Sequence, residues 1–194
     1  HEGVALEPSM SFSVGFRANS AISLLSGFAD HLIDNELGGQ LLEDPHRQAI
    51  ANSGEISHQD YQSIKAQLQN LLDDDNTFKH FVGNFLTSAK HELDLMPSDE
   101  PFERDEVSEL LAIHAIKRLG GLRAFYFDDT IDEGICYING EQLMFAKEIA
   151  PVVKLLCNQL VIMPNDLAPW RDNEQFLDLM IKLLDQGFWF WTEA

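Results

Sequence analysis

The sequence predicts a mostly helical α+β fold whose C-terminal part is winged-helix-like. Three observations carry this. Apolar residues recur at helical spacing in most segments, Asn139-Gly140 sits between two short apolar runs as in a two-residue type I′ hairpin, and a helix precedes the apolar strand "FWFW".

The elements follow in order. From Ser9 to Gly15 small residues alternate with Met10, Phe12, Val14 and Phe16, a strand with two different faces that needs neighbours. Asn19 and Ser20 can cap a helix carrying Ile22, Leu25, Phe28, Ala29, Leu32 and Ile33, ending before Gly38-Gly39. After a polar loop, Ser57 starts a second helix with Asp60 as a capping-box variant and Tyr61, Ile64, Leu68, Leu71 and Leu72 as its stripe. The "DDD" at 73–75 caps a third, with Phe78, Phe81, Val82, Phe85, Leu86 and Ala89 on one side. It ends near "LDLMPSDEP", which reads as a linker.

A further helix is expected from Glu103 to Arg118, running into Gly120-Gly121, then a strand "LRAFYF" and an exposed turn "DDTIDEG". The hairpin "ICYINGEQLMF" follows, then a helix from Ile149 to Leu160, the apolar "LVIM", and a last helix from Asp172 to Gln186 stopped by Gly187. None of these segments offers a partner for the opening strand.

The formal net charge is −19, with 13 Lys+Arg against 32 Asp+Glu. Such a surface repels phosphate backbones and attracts basic partners, although it also serves plain solubility. Apolar runs fall short of a bilayer span and no secretion signal is evident, so no membrane or nucleic-acid partner is expected. Cys136 and Cys157 lie in apolar surroundings without a CxxC pair and read as buried, reduced thiols of a cytoplasmic protein.

Phosphate-binding glycine loops, GxSxG elbows and HExxH motifs are missing. His91-Glu92 lacks a second histidine, since position 95 is Leu, and His31, His46, His58 and His80 share no ligand spacing. His114 reads as a hydrogen-bonded, partly buried side chain, "DDTIDE" as a solvated turn, and "FWFW" as a core strand without the basic residues a base-stacking platform needs. His1 means nothing alone. Followed by Val4, Ala5, Leu6 and a strand with a small polar face, it suits a metal pocket in a β-barrel, with Ser11 and Ser13 toward the metal. A non-haem iron site needs two histidines and a carboxylate, of which only one could be here.

The runs "HEGVALEPSMSFSVGFRA", "SGFADHLIDNELGG", "FVGNFLTSAKHELDL" and "RLGGLRAF", with the terminal "GFWFW", resemble the bacterial ribosomal oxygenases, in particular arginine hydroxylases of a large-subunit ribosomal protein. The resemblance covers essentially the whole chain, least well in the 40–58 loop. It implies a cupin/JmjC-type double-stranded β-helix that uses Fe(II) and 2-oxoglutarate, a helical dimerisation domain and a C-terminal winged helix. It places the last barrel strands at 1–18, the dimerisation helices at 19–97 and the winged helix at 98–194. His1 matches the distal iron ligand, within a His-Glu-Gly pattern, and Ser11 and Ser13 would line the pocket. The seven histidines begin HEG, HLI, HRQ, HQD, HFV, HEL and HAI; only HQD at 58–60 has HxD spacing, and it falls at the start of the second helix with Asp60 as its cap, so the family's HxD pair on an early barrel strand is missing here. The chain is therefore expected to be the C-terminal portion of a homodimeric, cytoplasmic oxygenase acting on a basic ribosomal protein, and to be inactive by itself. The alternatives are a non-catalytic acidic dimerisation or protein-interaction module and a winged-helix regulator, the latter opposed by the charge.

Overall fold

The computed structural model describes residues 18–43, 52 and 54–192. The strand expected at Ser9–Phe16 lies outside them. Contacts divide the chain into two compact units, one up to Gln40 and one from Leu41.

In the first unit, α1 (Ala21–Asp34) starts where Ser20 Oγ accepts from the Ser23 amide at 3.1 Å. Asn35 closes it, its side-chain amide donating to the His31 carbonyl at 2.7 Å. Phe28 is buried, whereas Ile22, Leu25 and Ile33 of the expected stripe are exposed.

The second unit opens with α2 (His58–Asp73), whose predicted capping box forms: the Asp60 amide donates to Ser57 Oγ at 3.0 Å and the Ser57 amide to Asp60 Oδ2 at 3.4 Å. It buries none of its side chains, and Tyr61, Ile64, Leu68 and Leu72 are exposed. Asp74 ends α2 and caps α3 (Asp75–Thr87), accepting from the Thr77 hydroxyl at 2.8 Å and the Thr77 amide at 3.3 Å. These bonds hold the Asp74 carboxyl below its ordinary value. A depressed carboxyl stabilises above its unfolded value of about 3.9 and loses that contribution as pH falls through the folded one. The melting-temperature penalty of Asp74→Ala should therefore be present at neutral pH and vanish in strong acid. Asp74→Asn, which keeps an acceptor, should show the smaller penalty at neutral pH; a penalty for Asp74→Ala that persists unchanged in acid would contradict this.

Two three-stranded sheets follow. The first has the order β2-β3-β4, from β2 (Ala124–Phe125), β3 (Ile135–Ile138) and β4 (Glu141–Met144), all antiparallel. The hairpin turn is as expected: Asn139 and Gly140 both have positive φ, 50° and 87°, the type I′ requirement. Helix α3 lies on this sheet. Gly83 allows the approach, because a Cβ there would sit 2.4 Å from the Tyr137 ring. Thr87, wholly buried, donates to the Gly83 carbonyl at 2.7 Å and accepts from the Gly140 amide at 3.0 Å. One hydroxyl thus joins the helix end to the hairpin turn.

The second sheet runs β5-β1-β6, from β1 (Ala115–Arg118), β5 (Val161–Ile162) and β6 (Trp189–Thr192). Its helices are α4 (Arg104–Ile113), α5 (Ala150–Asn158), the single-turn α6 (Pro164–Leu167) and α7 (Glu174–Asp185). Val107, Leu111, Ile116, Phe176, Met180 and Trp189 are all at most 1% exposed and form the centre of the core. Gly187 (φ 70°) ends α7 as predicted.

Two expectations are corrected. The helix from Glu103 does not reach Arg118: it stops at Ile113, His114 is extended (φ −109°, ψ 144°), and residues 115–118 are the central strand β1. Residues Ala115 to Arg118 pair with Trp189–Thr192 on one side, and Ile116 and Lys117 with β5 on the other, so distant partners override the helical spacing. The segment read as a linker is docked. The Ser98 amide donates to the Asp185 carbonyl at 3.0 Å, the Phe102 amide donates to Asp185 Oδ1 at 3.1 Å, and Leu93 and Phe102 pack on the core. The Met96 backbone comes so close to Gly187 that a Cβ there would meet it at 2.6 Å. The hairpin also belongs to a sheet other than the β5-β1-β6 sheet of the helical core.

Candidate functional site

The residues singled out as site residues, His1, Ser11 and Ser13, lie outside the described residues. Among the described residues no group of three or more His, Cys, Asp or Glu side chains could hold a metal ion. His91 and Glu92 are exposed beyond the end of α3, and His80 stands edge-on to Tyr137 at 6.0 Å. His114, expected on an apolar helix face, is the half-buried residue between α4 and β1.

The acidic turn at 128–133 is tied to its surroundings by lysines. Asp129 pairs with Lys79 of α3, and Asp132 with Lys154 of α5 at 2.7 Å. The hydrogen bond from Lys79 holds the Asp129 carboxyl low. Arg104 at the start of α4 clasps Asp178 of α7 through two bonds of 2.6 and 2.7 Å, so α7 is joined to α4 by a bidentate pair. The exposed acids Glu174 and Asp178 make this helix a poor phosphate binder.

Cys136 and Cys157 are both buried and unbridged, as expected, and share a hydrogen bond inside the core. That bond, reinforced by burial, pushes the Cys136 thiol far above its ordinary value, so it stays protonated. Arg118 Nη1 donates to the Cys157 carbonyl at 2.8 Å and more weakly to Leu156, meeting carbonyls that the end of α5 leaves open. Sequence patterning had not singled out Arg118. The sequence expectation places it at the end of a helix, and its partner carbonyls lie 38 and 39 residues downstream.

An open cleft of about 550 Å³ lies between the "AFYFD" stretch, residues 124–128, and the last turn of α5, Cys157 and Asn158. The Asn158 side-chain amide donates across it to the Tyr126 hydroxyl at 3.1 Å.

Helices α4, α5 and α7 around the antiparallel β5-β1-β6 sheet define a winged-helix domain. The chain belongs to the ROXA-like winged helix family, whose model matches residues 70–190. It is 31% identical over 191 residues to the ribosomal protein uL16 3-hydroxylase of Escherichia coli K12, covering 98% of this chain and 49% of that protein. Solved structures of the E. coli ribosomal oxygenase YcfD are similar across 92% of this chain and 48% of theirs at 28% identity. One has a TM-score of 0.82, and another, a complex with cobalt and 2-oxoglutarate, 0.80. The chain thus spans about half the length of the relatives it matches, and the resemblance to bacterial ribosomal oxygenases is borne out.

Proposed function

We propose that the chain is the C-terminal portion of an Fe(II)- and 2-oxoglutarate-dependent hydroxylase acting on an arginine of a large-subunit ribosomal protein. The observation that carries this is the likeness to the uL16 3-hydroxylase along 98% of the chain. The YcfD complex with cobalt and 2-oxoglutarate supports the cofactor pair. In this reading residues 1–18 are the last strands of the cupin barrel, 19–97 the helical dimerisation domain and 98–194 the winged helix. His1 is the distal metal ligand, and Ser11 and Ser13 line the pocket.

The described residues do not supply the ligand set for iron, and His1 would be a single donor where three are needed. No catalytic step is therefore assigned to them. Their part is to recruit and assemble. The net charge of −19 suits a basic ribosomal protein and disfavours nucleic acid, and none of the described helices is long and apolar enough to cross a membrane. A cytoplasmic homodimer completes the reading.

The test uses the longer protein with Fe(II), 2-oxoglutarate and uL16. The expected result is a one-oxygen mass gain on an arginine, matched by 2-oxoglutarate consumption; an unmodified uL16 overturns the proposal. The second reading, a non-catalytic acidic interaction module, is favoured by the exposed stripe Tyr61, Ile64, Leu68 and Leu72 of α2, and would be left standing by that result.

A further inference from the structure

The cleft beside β2 combines two features that select for a cation, its aromatic walls and a carboxylate at its rim. Its walls are aromatic: Phe125 is 47% exposed, Tyr126 is fixed by Asn158, and Phe127 is braced edge-on by Tyr137 at 5.7 Å. Its rim carries Asp128. The neighbouring acids Asp129 and Asp132 are taken up by Lys79 and Lys154, whereas the Asp128 carboxylate has neither hydrogen bond nor ion pair among the described residues. Its floor includes Cys157 and Asn158 at the C-terminal end of α5, where the helix dipole is negative. Arg118, which does not line the cleft, already places a guanidinium on carbonyls of that helix end.

A flat aromatic face beside a free carboxylate suits a planar guanidinium, which stacks and donates at once. We propose that this cleft holds an arginine side chain from a basic segment of the protein substrate, docking it on the winged helix away from the oxygenase centre. The identity of the partner rests on the function proposed above; the choice of an arginine side chain rests on the cleft.

The 15N-labelled 194-residue chain, titrated with acetyl-Ala-Arg-Ala-amide, tests this without iron, 2-oxoglutarate or turnover. Saturable amide shifts are expected at residues 124–128 and 157–158. The citrulline peptide, with the same shape and no charge, should bind at least about fivefold more weakly, as should Asp128→Asn with the arginine peptide. Phe125→Ala, at an exposed position, should weaken binding without altering the fold. Equal binding of the arginine and citrulline peptides, shifts confined to other surfaces, or putrescine binding as tightly as the peptide would each overturn the proposal. If uL16 is hydroxylated but the peptide does not bind, the cleft assignment alone fails. If the peptide binds but uL16 is left unmodified, only the enzymatic reading fails.

Discussion

Trp189→Ala should destabilise the chain by about 3–5 kcal/mol, a large share of the roughly 5–15 kcal/mol that holds a domain together. Trp189 is 1% exposed and lies opposite Arg118 in the β1–β6 ladder, two residues after the glycine that ends α7. Its indole fills space in the same core as Phe176, Met180 and Leu111. These come from α7 and α4, which are clamped by the Arg104–Asp178 pair and by the strap at 98–102, so the cavity cannot collapse easily. Among the described residues the indole N–H has no partner, so the loss there is one of packing. Urea denaturation followed by far-UV circular dichroism measures it. Neighbouring Phe190, 39% exposed, serves as the control, with a loss of about 1 kcal/mol or less on truncation. Equal losses at the two positions would contradict the assigned faces of β6.

In the longer protein, His1→Ala should lower metal retention and 2-oxoglutarate turnover by about 100-fold or more, while helicity stays unchanged. Residues that merely orient metal ligands cost 10–100-fold when replaced, and a direct donor should cost at least the upper end of that range. No cluster among the described residues could take its place. Metal analysis after gel filtration, alongside a cosubstrate assay, reads both quantities. Full activity in the variant would remove His1 from the ligand set and with it the barrel assignment of residues 1–18.

Locally encoded features were legible. Ser57 with Asp60, the "DDD" at 73–75, Asn139-Gly140 and Gly187 each act through atoms within a few residues, and each forms as its chemistry dictates, Asp74 being the member of the run that caps α3. The end of α4 was not legible, because Ala115 to Arg118 become a strand only through partners at 161–162 and 189–192. Nor was the docking of 93–102. Its prolines and acids look like a linker, whereas Asp185 and the absent side chain of Gly187, both far downstream, decide its path. The cleft shows the same division. The run Phe125 to Asp128 is visible as sequence, but its opposite wall comes from the end of α5. Which of three nearby acids remains unpaired depends on where two lysines fall in space.

The central position of β1 has a consequence for how the chain acquires its structure during synthesis. Ala115 finds its partner only at Thr192, and the strap at Ser98 waits for Asp185. Throughout the intervening translation Ile116, destined for complete burial, has no completed sheet to enter, while α3 and the β2-β3-β4 sheet can already assemble behind it. Non-local pairing of this kind is slow and leaves apolar strand edges open to other chains. The winged helix should thus close last, as a single late event, and the nascent chain is most vulnerable to aggregation just before residue 189 emerges.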